Sequence, residues 1–352
     1  MNLSSSSLSF FYSIMKKWKE IKVPIQHEKK IHQHIKGPLW TNIPEPLKSK
    51  IDSLSNGTLF SLILHNRTIQ VYLWSNSREE KQSAISLIYK WFYFILPYCP
   101  ASCSQHIDVH VYFLSHKKIL PKKGEKIDTI HVNSAFTTSC LPNDVKSEIV
   151  IFRKEEWFKV LIHESFHVLG LDFSSESCEE VNSYIKREIF KGGVHVNDFR
   201  LYESYSEICA ELLNVLFSST RENLLEHLKL ERNFSLFQWA KILYFYGLNM
   251  NDLLFDKDNI EKYTENTKVL SYYAFKSVDF YYLDDFVSLF LSKNNPFYFV
   301  KTRENIIKYA HFLRERIYRK DYLDTVDYYI GIQKYARGTL QNTLRMSLIS
   351  GS

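Results

Sequence analysis

Trp157-Phe-Lys-Val-Leu-Ile-His163-Glu164-Ser165-Phe166-His167-Val-Leu-Gly170-Leu-Asp172-Phe173 is the segment that most constrains this chain. Trp157, Phe158, Val160, Leu161, Ile162, Phe166 and Leu169 recur at helical spacing and predict a helix packed into the core. Glu155 and Glu156 supply the negative charge favoured in a first turn, and Gly170 supplies a stop. Polar groups buried in such a helix are costly unless something answers them. His163 and His167, four residues apart, project from one face a turn apart, with Glu164 at that face's edge. His-Glu-x-x-His on a helix is the pattern with which zinc-dependent hydrolases hold a metal between two imidazoles and place a base beside it.

Composition bounds the alternatives. A 352-residue chain that is 45% hydrophobic and 24% charged can bury a substantial core, and 10 Gly and 9 Pro leave little for flexible linkers. The 25 Phe and 23 Tyr read as large core side chains. The net charge of +6 is mild, and short basic runs such as Lys16-Lys17-Trp18-Lys19 lack the interleaved Arg and aromatics of a nucleic-acid face, so no specific nucleic-acid partner is expected. Cys99, Cys103, Cys140, Cys178 and Cys209 are odd in number and scattered, which argues against a disulfide framework and for a reducing compartment. Cys99 and Cys103, with His106 and His110, match no strong zinc spacing. Residues 8–15 are apolar but lack the flanks of a secretory signal. Residues 84–96 are too short and carry Lys90, so no membrane span is expected and the location reads as cytoplasmic.

Periodicity predicts an α+β chain. Residues 1–50 read as a partly ordered leader, 51–175 as a lobe with a small mixed sheet and the motif helix, and 176–352 as an all-α lobe. Strands are expected at 58–64 and 68–74 as a hairpin around His65-Asn66-Arg67, then at 107–114, 128–138 and 148–152, with a helix over 78–96. Beyond 177 the candidate helices cover 177–190, 203–218, 221–232, 236–247, 267–276, 280–292, 302–316 and 320–345. Lys191-Gly192-Gly193 and Asn294-Asn295-Pro296 mark breaks.

A catalytic zinc takes three protein ligands and keeps one position open. The metzincin continuation accommodates Gly170 but puts Phe173 where a third histidine belongs, with Asp172 one position off. The segment 201–213 is the better source, because Glu203, Glu207 and Glu211 fall on one helical face beside Ile208, Leu212 and Val215. Its Glu207-Ile208-Cys209-Ala210-Glu211 is similar to the Glu-x-aromatic-Ala-Glu pattern of some gluzincins, whereas Glu203-x-x-x-Glu207 fits the ligand spacing of thermolysin-like enzymes. Glu207 is preferred as the ligand, because small Cys209 and Ala210 allow close approach to the motif helix, with Glu203 as its rival.

The stretch from about 129 to 215 resembles metallopeptidases encoded by nucleocytoplasmic large DNA viruses, through Val132-Asn133-Ser134-Ala135-Phe136-Thr137, the motif helix and Tyr202-Glu203-Ser204-Tyr205-Ser206-Glu207. The resemblance implies a zincin-like fold, one Zn2+ per chain, a protein or peptide substrate, and action in infected cytoplasm or the particle. In that reading Glu164 is the general base, Tyr202 and Tyr205 are the nearest oxyanion donors with His195 behind them, and 131–139 is an edge strand for extended substrate. The competing reading is a zincin fold kept as a structural or interaction module. Oligomeric state and cleavage preference have no sequence signal.

Overall fold

In the computed structural model, which describes residues 3–75, 77–191, 193–291 and 297–349, the alternating segments pair into one six-stranded mixed sheet. Its strands are β1 (Lys29–Ile31), β2 (Gly57–Leu64), β3 (Arg67–Trp74), β4 (His106–Tyr112), β5 (Ala135–Thr137) and β6 (Ser147–Ile151), in the order β1-β2-β3-β4-β6-β5. β3, β4 and β6 run parallel, while β1, β2 and β5 pair antiparallel. The hairpin between β2 and β3 turns on His65 and Asn66, both at positive φ (48° and 62°), the conformation a two-residue loop needs to match strand twist. β5 is shorter than the strand expected at 128–138. Asp128 caps Thr129–Val132 into a single helical turn, and only three residues remain for pairing.

The helices are α1 (Ser5–Glu20), α2 (Glu45–Asp52), α3 (Arg78–Ile95), α4 (Thr129–Val132), α5 (Trp157–Val168), α6 (Glu179–Glu188), α7 (Leu201–Phe217) and α8 (Leu224–Tyr246). They continue as α9 (Met250–Phe255), α10 (Lys257–Ile260), a π-helical turn over Leu270–Phe275, α11 (Lys276–Tyr281), α12 (Leu283–Phe290), α13 (Arg303–Ile317), α14 (Lys320–Ile332) and α15 (Thr339–Asn342). The chain is thus mixed α+β. No helix among the described residues is long and apolar enough to cross a membrane.

Four sequence expectations change. Residues 5–20 are not a loose leader: Phe11, Ile14, Met15 and Trp18 are buried, and Trp18 stacks on Phe217 of α7 with ring centroids 3.8 Å apart. The two helices expected over 221–247 are one, because Asn233-Phe234-Ser235 contains no breaker and α8 runs to Gly247 at φ 69°. The helix expected through 345 stops at Ile332, and residues 343–349 return as a tail with Leu344 and Met346 buried. Cys103 and Cys140, distant in sequence, form a disulfide, so the expectation of free thiols fails for this pair. The break expected at 294–296 lies outside the described residues, as does Gly192.

One apolar core extends from α1 through the sheet, α5 and α7 to the tail, across the boundary expected at 175. On the opposite face of the sheet Trp74, Tyr112, Val150 and Phe152 form a smaller cluster with Leu47 and Ile51 of α2. α5 packs against β5, β6 and α7, which brings its polar face to the sheet edge.

Candidate metal centre

Every residue of α5 after Trp157 is buried, so His163, Glu164 and His167 must be answered within the fold. The helix is closed as its sequence predicts. Gly170 takes φ 64°, its N–H donates to the His167 carbonyl (3.1 Å), and the Leu171 N–H donates to the Phe166 carbonyl (2.8 Å). A side chain at Gly170 would meet Cys103 Sγ at 2.6 Å, so glycine is required by space as well as by φ. This reversal carries Asp172 back beneath the helix, where its carboxylate meets His167 Nδ1 and accepts from Ser206 Oγ (3.0 Å) and Ser174 Oγ (2.7 Å). Phe173 is core, packed on Phe299, and takes no part in the polar group.

α7 presents its three glutamates to three different sets of atoms. Glu203 Oε2 lies 3.2 Å from His163 Nε2 and 3.3 Å from His167 Nε2, and the two Nε2 atoms are 3.1 Å apart. Glu207 sits one turn behind, with Oε2 2.9 Å from His163 Nδ1 and Oε1 2.5 Å from Lys159 Nζ. Glu211 pairs with Lys276 at 2.6 Å. The preference for Glu207 as the residue beside both imidazoles is therefore not what the geometry gives. Lys159 on α5 draws Glu207 to the rear of His163, and Glu203 is left facing both Nε2 atoms. Nothing in the motif itself marked Lys159 for that role.

The electrostatics follow the same division. Burial alone would raise the Glu203 carboxyl, but His167 and His163 hold it well below the usual carboxylate range. Glu207 is likewise held low against burial, chiefly by Lys159 and then His163. Burial would lower both imidazoles, yet Glu203 and Glu207 raise His163, and Asp172 and Glu203 raise His167. Burial is the largest influence on Glu164 and pushes its carboxyl up, partly offset by the two histidines.

His163 Nε2, His167 Nε2 and Glu203 Oε2 form the one group among the described residues whose atoms could share a metal ion. Donors at about 2.0–2.1 Å around a tetrahedral zinc lie about 3.3 Å from one another. The observed separations of 3.1, 3.2 and 3.3 Å fit that edge length. Both Nδ1 atoms face carboxylates, which leaves both Nε2 atoms turned toward the common point. Cys99, Cys103, His106 and His110 form no such group: Cys103 is in the disulfide, and the Cys99 thiol donates to the Ile95 carbonyl.

Beside this group a small cavity of about 30 Å³ is lined by His163, Glu164, Ala135, Tyr272 and Met346. Tyr272 belongs to the π-helical turn, a local form that recurs at functional sites. Its ring stands edge-on to His163 with centroids 6.1 Å apart. Of the tyrosines singled out by sequence, Tyr205 is fully buried and donates to the Phe297 carbonyl (2.9 Å), facing away from the group. Tyr202 remains beside it, edge-on to His167 at 5.8 Å. His195 is exposed in the loop before α7. No sequence pattern pointed to Tyr272 or Met346, which reach the cavity from segments more than a hundred residues downstream of α5. No protein-family model matches the chain, and no curated protein or solved structure does.

Proposed function

We propose that the chain is a zinc-dependent metallopeptidase of gluzincin-like arrangement, with His163, His167 and Glu203 as ligands. The observation that carries this reading is the convergence of two Nε2 atoms and one carboxylate oxygen at tetrahedral edge lengths, with Glu164 beside them. Two imidazoles and one carboxylate, with a position left open, form a donor set suited to catalytic zinc. When bound, the ion would supply Lewis acidity, acidifying water and polarising a peptide carbonyl.

The chain's own residues perform the remaining work. Glu164 accepts the proton of the attacking water and returns it to the leaving amine, a role suited to a carboxyl raised by burial. Tyr272, whose ring borders the same cavity, donates to the carbonyl oxygen as negative charge develops there. Glu207 and Asp172 fix the imidazoles from behind through their Nδ1 atoms. Among the described residues β5 pairs with β6 alone, and an extended peptide would add along its other edge beside α5.

The test is Glu164→Gln. The variant is expected to keep its zinc and lose peptide hydrolysis by about 10²–10⁴-fold. Wild-type protein that holds zinc yet cleaves no member of a peptide library would instead favour the non-catalytic interaction module.

A further inference from the structure

Four lysines are buried among the described residues: Lys118, Lys159, Lys241 and Lys276. Three of them face carboxylates, Lys118 with Glu156 at 3.0 Å, Lys159 with Glu207 at 2.5 Å and Lys276 with Glu211 at 2.6 Å. Lys241 does not. Only 2% exposed, it donates to Gln238 Oε1 (2.5 Å) and the Thr343 carbonyl (2.7 Å), both uncharged, and its ammonium stands 5.1 Å from the centroid of the Phe237 ring. No carboxylate of a described residue lies within ion-pair distance of it. Burial without a counter-charge is costly, and it brings the ammonium down to about 7.

The exception lines a cavity. An open hollow of about 650 Å³, the size of a small-ligand site, is bordered by the 119–123 segment, the end of α8, and residues near 333 and 341. Lys241 reaches it from the wall, while Lys122, Lys123 and Lys334 stand exposed at its rim. None of the residues lining it is acidic. Leu120, Pro121 and Phe245 supply an apolar surface beside the four amines. The other buried lysines are answered by carboxylates; at Lys241 no described residue supplies a negative charge.

We propose that this cavity binds a small phosphorylated ligand, whose anionic oxygens provide the counter-charge that Lys241 lacks and whose body packs on Leu120, Pro121 and Phe245. Phosphate suits the arrangement because several ammonium groups act as point charges around one opening, without the planar fork that Arg offers carboxylates. This site shares no residue with the metal centre and does not depend on the peptidase reading.

The experiment is calorimetric titration of the full chain with inorganic pyrophosphate at near-physiological salt, where scattered surface charge is screened. Saturable binding of one pyrophosphate per chain is expected, weakened about tenfold or more by Lys241→Met. The Lys122→Gln/Lys334→Gln double variant touches only exposed side chains and should fold normally while binding several-fold more weakly. Lys30→Gln, an exposed residue outside the lining, should bind as wild type. Absence of saturable binding to the wild type overturns the proposal, as does undiminished affinity in folded Lys241→Met. Should that variant fail to fold, undiminished affinity in the rim double variant overturns it instead.

Discussion

α5 and α7 are both buried almost throughout, and each carries polar groups on one face, yet they were unequally readable. On α5 the spacing of His163 and His167 alone decides which atoms meet, because a four-residue step puts two imidazoles side by side whatever the surroundings. On α7 Glu203, Glu207 and Glu211 have identical spacing and chemistry, and the helix itself cannot rank them. Their partners rank them: two Nε2 atoms for Glu203, Lys159 with His163 Nδ1 for Glu207, and Lys276 for Glu211. A motif within one helix is local information. The choice among equivalent residues on a second helix is made by tertiary contacts.

That contrast can be broken deliberately. The largest stability effect should come from Lys159→Met, which leaves buried Glu207 without its cation, whereas Glu156 keeps Lys118. Removing one partner of a buried pair typically costs about 3–5 kcal/mol, so denaturant unfolding should show a loss of that order, whereas exposed Lys16→Met should show almost none. Next in size is Glu207→Gln. If Glu207 orients His163 from behind, metal affinity should fall by about 10–100-fold while binding persists, as removal of such supporting contacts does. Competition with a chelator measures this directly.

A further effect is one of pH. Asp279 accepts from Tyr309 OH (2.6 Å) and Ser204 Oγ (2.9 Å) on α7, and burial pushes its carboxyl up to about 8. With a folded value above the unfolded one, its contribution to stability is complete below about pH 4 and is lost as pH rises through about 8. Asp279→Asn, similar in shape and never charged, should flatten the decline in urea midpoint between about pH 5 and pH 9. An unchanged slope would show that Asp279 is ionised in the folded protein.

Much of the fold was written locally. The β2–β3 hairpin followed from alternation and from Asn66 in a left-handed turn, and α5 and α7 from apolar periodicity. What was not legible had no local cause. α1 is ordered because Trp18 finds Phe217, far along the chain. The tail departs from helix because Leu344 donates to the Lys118 carbonyl and because Glu156 accepts from the N–H groups of Met346 and Ser347. Asp172, set aside as a ligand one position out of place, proved to face His167 Nδ1 once Gly170 reversed the chain. Tyr272 could not be singled out among 23 tyrosines without knowing which segment returns to His163.

In the proposed site Glu203, and not Glu207, completes the metal ligands with His163 and His167. Elemental analysis of wild type, Glu203→Gln and Glu207→Gln, purified in parallel without chelator, tests it most directly. One zinc per chain is expected in the wild type, with substantial retention in Glu207→Gln and loss in Glu203→Gln. Full zinc in Glu203→Gln together with an empty Glu207→Gln would contradict it.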